Sequence, residues 1–96
     1  MNVSVARVPT HSASRYLQQL AKHWSHKMTV TSSPEEATIE FPNGCRLEMR
    51  ADSDTLDVML AVAEGEDAER MRRVVAEHLD RFAFREAPLT FDWRDG

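Results

Sequence analysis

The chain has a single cysteine, Cys45, and so no partner for an internal disulfide. It must hold its fold by burial alone. Glycine is scarce at three residues and proline at four, which leaves no flexible linker and no low-complexity tract. No apolar run approaches the ~20 residues that span a bilayer. Residues 1–10 also lack the charged-then-apolar layout of a signal peptide, and a soluble, cytoplasmic protein is the expectation. Positive charge is in deficit: twelve Lys and Arg against sixteen Asp and Glu give a net charge of −4. Nonspecific nucleic-acid affinity comes from clustered cations, so neither nucleic acid nor a membrane is an expected partner.

What is present is ordinary for a globular domain, with 42% hydrophobic and 29% charged residues over 96 positions. Residues 1–96 read as one domain, large enough to bury roughly two thirds of the surface its unfolded chain exposes. The most informative stretch is Ser12–Lys27, SASRYLQQLAKHWSHK. At ~100° per residue Ala13, Leu17, Leu20, Ala21 and Trp24 fall on one stripe, with Tyr16 at its margin. A helix to about Lys27 follows, with Thr10 or Ser12 as its cap. A second helix is expected over Glu66–Phe82, where Ala68, Met71, Val74, Val75, Leu79 and Phe82 form the stripe and His78 falls within it.

The remaining segments alternate. Asn2–Val8 reads as a strand whose buried face is ambiguous, since Ala6 and Val8 share one side and Val3 and Val5 the other. Met28–Thr31 begins another strand. Ala37, Ile39 and Phe41, then Cys45, Leu47 and Met49, alternate with polar residues around Pro42-Asn43-Gly44, the clearest hairpin. Leu56, Val58, Leu60 and Val62 make a further strand, and Leu89, Phe91 and Trp93 a terminal one. Such alternation means an antiparallel sheet with one covered face. The fold class is therefore α+β: a two-layer sandwich in the order β-α-β-β-β-β-α-β, with both helices on one face of the sheet. The other face carries Glu40, Arg46, Glu48, Arg50 and Asp57 and reads as solvated.

Catalysis has little to work with. Cys45 sits at an inward strand position, where a thiol behaves as a small hydrophobe. The serines lie in caps and turns, and no glycine-rich loop offers a phosphate cradle. One chemically suggestive edge remains, between the helices. Tyr16, His23, Lys27, His78, Arg81 and Arg85 are candidates to hold a small anionic molecule, because a guanidinium fork matches carboxylate and phosphate oxygens. The competing account is that these cations cap helix C-termini or pair with Glu77, Asp80 or Glu86. His23 and His26, three residues apart, are helix neighbours, and with His78 they form the alternative of a metal site, for iron, zinc or haem. Spacing disfavours it, since structural zinc sites usually carry paired cysteines. No cofactor is the leading expectation.

The segments RYLQQLAKHWSHK, FPNGCRLEM, VVAEHLDRFAFRE and LTFDW together resemble a family of small bacterial domains of unknown function, over nearly the whole chain. Arg15, Tyr16, Leu17, Gln19, Leu20, Lys22, His23, Trp24, His26 and Lys27 match in the first helix. His78, Leu79, Arg81, Phe82, Phe84, Arg85 and Glu86 match in and after the second. Members similar to this chain stand alone or are attached to FAD-binding siderophore-interacting proteins, which implies an accessory role in iron metabolism. Some carry the name 2,4-dihydroxyhept-2-ene-1,7-dioic acid aldolase, but such aldolases are (β/α)₈ barrels, which need ~250 residues. Members often have cysteine where this chain has Ala21, and the family has no established catalytic residues to carry over. Two expectations follow. One is a noncatalytic binding or accessory module whose partners are a small anionic molecule, another protein, or a second copy in a homodimer. The other is a metal- or haem-dependent protein of iron handling, with redox or lyase activity.

Overall fold

The structure, a computed structural model, describes residues 2–96. Eight elements follow the expected order: β1 (Asn2–Pro9), α1 (Ala13–Trp24), β2 (Thr29–Ser32), β3 (Glu36–Glu40), β4 (Arg46–Ala51), β5 (Thr55–Val62), α2 (Ala68–Phe82) and β6 (Arg94–Asp95). The strands form one antiparallel sheet in the spatial order β2-β3-β4-β5-β1-β6. The first strand thus closes against the fifth, with Ala6 opposite Val58 and Val8 opposite Leu56. That pairing resolves the ambiguity of β1, because Ser4, Ala6 and Val8 are buried while Val3 and Val5 are only half-buried on the far side.

The inner face of the sheet and the stripes of both helices share one core. Leu17 and Leu20 of α1, Val75 and Leu79 of α2, and Leu47, Leu56 and Leu60 of the sheet are fully enclosed. Trp24 is buried and meets Phe41 edge-on at 5.2 Å, while Trp93 is half-buried. Burying each aliphatic side chain is worth about 1.5–3 kcal/mol against leaving it exposed, and this replaces any need for a disulfide. Helix α1 covers β2 to β5, and α2 lies over β5 and against α1. Arg72 of α2 donates through Nε to Ser4 Oγ of β1 at 2.9 Å, which satisfies the one buried hydroxyl of that strand.

Helix ends depart from the sequence reading by a few residues. Ser12 is the N-cap of α1 but makes no side-chain cap bond. Instead Thr10 Oγ1 accepts the Ser12 N–H at 3.1 Å. The helix stops at Trp24 rather than Lys27, and in the turn that follows the Trp24 carbonyl accepts from the N–H groups of both Lys27 and Met28. Asp67 caps α2 by accepting from the Arg70 N–H at 3.1 Å. The terminal strand is shorter than its alternation suggests. Only Arg94 and Asp95 join the ladder, opposite Val5 and Ser4. Upstream, the Leu89 N–H is taken by the Asp80 carboxylate at 2.8 Å, and Phe91 stacks on Trp93 at 5.6 Å, outside any ladder.

Candidate functional site

The two helices run antiparallel across the sheet, which decides which polar groups meet. At one end the Tyr16 hydroxyl donates to Glu86. At the other, Trp24 lies 4.9 Å from His78, centroid to centroid. Seven residues, about 10 Å of helix rise, separate Tyr16 from His23. Tyr16 therefore belongs to a different end of the helix pair from the histidines.

Tyr16 is buried and tied into a structural knot. Glu86 accepts its hydroxyl and also that of Thr10, at 3.0 and 3.1 Å to the two carboxylate oxygens. The hydrogen bond to Glu86, reinforced by burial, holds the phenol above its ordinary pKa. Arg85 is exposed, and its guanidinium sits 5.7 Å from the centroid of the Phe84 ring. Phe84 is the one large hydrophobic residue left well exposed among the described residues.

The remaining candidates gather at the other end. His23 lies 5.6 Å from His78 and 5.8 Å from Phe82, ring centre to ring centre. Desolvation against these neighbours lowers the pKa of His23, and the positive potential of His78, Lys27, Arg81 and His26 lowers it further. The Nδ1–H of His78 donates to the Val74 carbonyl at 2.7 Å, one turn back in α2. Its Nε2 is thereby left as the free nitrogen of the neutral ring. Among the described residues neither Lys27 nor Arg81 forms an ion pair; the four that occur are Arg7–Asp57, His11–Asp54, Arg46–Glu48 and Arg94–Asp92. Beside the cluster, His26, Lys27 and Glu40 border a shallow hollow of about 390 Å³ at the end of α1.

The structure does not bring the three histidines of the metal alternative together as one set. His23 and His78 are neighbours, but His26 is exposed and borders the hollow instead. Among the described residues no three His, Cys, Asp or Glu side chains group so as to hold a metal ion. Because α1 ends at Trp24, His26 lies in the turn beyond it, and helical spacing no longer sets it beside His23. Cys45 is buried, and its Sγ accepts the Ala63 N–H at 3.4 Å.

A broad concavity lies on a face that the sequence reading treated as merely solvated. The outer face of the sheet is a trough of about 1040 Å³, with Val5 and Met59 in it and Arg7, Arg50, Glu48 and Asp57 along it. The alternating charges of β4 were visible in the sequence. Their alignment with β1 was not, because β1 joins β5 across 46 to 60 positions of chain.

These features define a class: a small α+β domain with both helices on one face of an open antiparallel sheet. The chain matches, over residues 5–94, the family described as "Uncharacterized protein conserved in bacteria (DUF2218)", and it belongs to that family. It is similar to PA4090 from Pseudomonas aeruginosa, whose NMR structure shares 35% sequence identity and a TM-score of 0.79 over 98% of this chain and 96% of that one. A search of the curated proteins found no match. No helix of the described residues is long and apolar enough to cross a membrane.

Proposed function

We propose that the chain is a noncatalytic binding module that takes a small anionic molecule at the helix edge formed by His23, Lys27, His78 and Arg81. The observation that supports it is the crowding of four cation-capable side chains with no acid among the described residues paired to Lys27 or Arg81. Clustered like charges are unfavourable to keep unless something of opposite sign relieves them, and a carboxylate or phosphate does so with charge-assisted hydrogen bonds. The chemistry asked of this edge is recognition. Arg81 supplies the planar fork, Lys27 a mobile point charge, and the imidazoles donors whose protonation the anion itself favours.

An iron-handling role, with metal or haem held by histidines, has less behind it, since two neighbouring imidazoles lack a third ligand. A link to siderophore chemistry is compatible with the anion reading instead, through a carboxylate-bearing molecule. The test is an amide-resolved NMR titration with inorganic phosphate, citrate and a carboxylate siderophore. The expected result is saturable shifts centred on His23, Lys27, His78 and Arg81, weakened at least about fivefold in Arg81→Ala, on the scale of one lost charge-assisted bond. Shifts scattered over all surface cations, or an Arg81→Ala protein that binds as well, would remove the proposal. Both positions are exposed, so neither Arg81→Ala nor His23→Ala should unfold the domain.

A further inference from the structure

The ladder registers set the outward side chains in rows that cross the strands. In one row Glu36 stands opposite Arg50, Arg50 opposite Asp57, and Asp57 opposite Arg7, so the signs alternate from β3 through β4 and β5 to β1. The next row crosses all six strands as Thr31, Thr38, Glu48, Met59, Val5 and Arg94. A third runs Glu40, Arg46, Ala61 and Val3. An alternating row has a property that a uniform one lacks: reversed end for end, it is complementary to itself.

A two-fold axis lying parallel to the strands, over the junction of β4 and β5, performs that reversal when two sheets face each other. This junction is the centre of the six-strand order. In the first row the axis sets Arg50 against the partner's Asp57, and Glu36 against the partner's Arg7. In the second it sets Glu48 against the partner's Met59 and Arg94 against the partner's Thr31. In the third, Glu40 and Arg46 meet the partner's Val3 and Ala61. No like charges face each other in any row. Asp92, beyond the first row, keeps its own Arg94 at 2.8 Å and falls over the uncharged strand β2.

We propose that the outer face of the sheet is an isologous interface, on which a second copy of this chain docks about that axis. The helices cover the opposite face, so this one is left uncovered within the chain. Six strands at ~4.8 Å spacing give a face about 24 Å across, enough for the ~800 Å² per partner that a stable interface needs. The half-buried Val5 and Met59 supply an apolar floor near its middle. Arg7 and Arg94, whose side chains are 74% and 75% exposed, rise from each trough and fill the opposite one. Facing sheets lie about 10 Å apart, a gap that an arginine and a carboxylate side chain span together. Desolvating these charges offsets much of what they gain, so the rows act mainly as a register, excluding arrangements that oppose like charges.

The test is analytical ultracentrifugation of the full chain and of two charge reversals. A monomer–dimer equilibrium is expected, with Kd raised at least about tenfold in Arg50→Glu and equally in Asp57→Arg, since each reversal sets two like pairs face to face. An equimolar mixture of the two variants should dimerise within about threefold of the natural chain, because a heterodimer restores opposite signs at both contacts. Arg7→Glu mixed with Glu36→Arg is a parallel pair, which serves if circular dichroism shows that either of the first two fails to fold. A chain that stays monomeric to about 1 mM overturns the proposal. So does a dimer untouched by the reversals, or a mixture as dissociated as its components. An axis one strand over, between β5 and β1, would set Arg50 against the partner's Asp92, and the first mixture would then fail to heal.

Discussion

At the scale of single residues, His23 shows how a side chain's neighbours rather than its type set its behaviour. It was legible as a candidate from the KHWSHK run, but its depressed pKa comes from Phe82 and His78 on α2 and from the cations around it. The consequence for stability has a definite sign. Above the ordinary histidine pKa of about 6.5 both folded and unfolded chains carry a neutral ring. As pH falls below that value the unfolded chain takes up the proton first, so stability is lost until the folded ring protonates as well. His23→Gln should flatten this acid-side loss, read as the slope of Tm between pH 7 and pH 5. An unchanged slope would assign the titration elsewhere. A bound anion acts in the opposite direction, because it favours the protonated ring.

At the scale of elements, periodicity carried most of the information. Both helices and, Ala61 apart, every buried strand position from β3 to β5 follow their spacing, since 3.6-residue and two-residue repeats are imposed by backbone geometry and need no knowledge of the partner. The β3–β4 hairpin was legible for the same reason. Its turn depends on Gly44 at φ +90°, with the Asn43 carboxamide oxygen accepting the Cys45 N–H at 3.0 Å. A Cβ at Gly44 would also come within 3.4 Å of Ala63 Cβ, whereas one at Gly65, φ +85°, would meet nothing within 4 Å. Each Gly→Ala change incurs the left-handed penalty of about 1–2 kcal/mol. Gly44→Ala should lower Tm by roughly 4–8 °C or more and by more than Gly65→Ala does. Equal losses would mean that Ala63 yields without cost. What periodicity missed was the terminal segment, where LTFDW alternates without joining any ladder. Alternation predicts the side a side chain takes, not the existence of a ladder.

At the scale of the whole molecule, the Thr10–Tyr16–Glu86 knot joins the loop after β1, the start of α1 and the turn after α2. Its partners lie 70 and 76 positions apart in the chain. Tyr16→Phe should cost about 1 kcal/mol at neutral pH, the net worth of one hydrogen bond whose carboxylate can turn to water. Because the Glu86 bond and burial raise the phenol's pKa, the stability they give is present below the ordinary tyrosine value of about 10 and lost as pH rises through the folded one. Urea unfolding at pH 7 and pH 10.5 measures both. If the two proteins match at pH 7, the knot is only a surface contact.

The sequence by itself determined the two-layer α+β architecture, the element order and the core, because each rests on local repeats and on the water-excluding tendency of one face. Only the tertiary structure decided that β1 lies between β5 and β6, that the helices cross so as to join His23 to His78 and Tyr16 to Glu86, and that the outer charges align in rows. These depend on contacts between residues far apart in the chain, which no local repeat encodes.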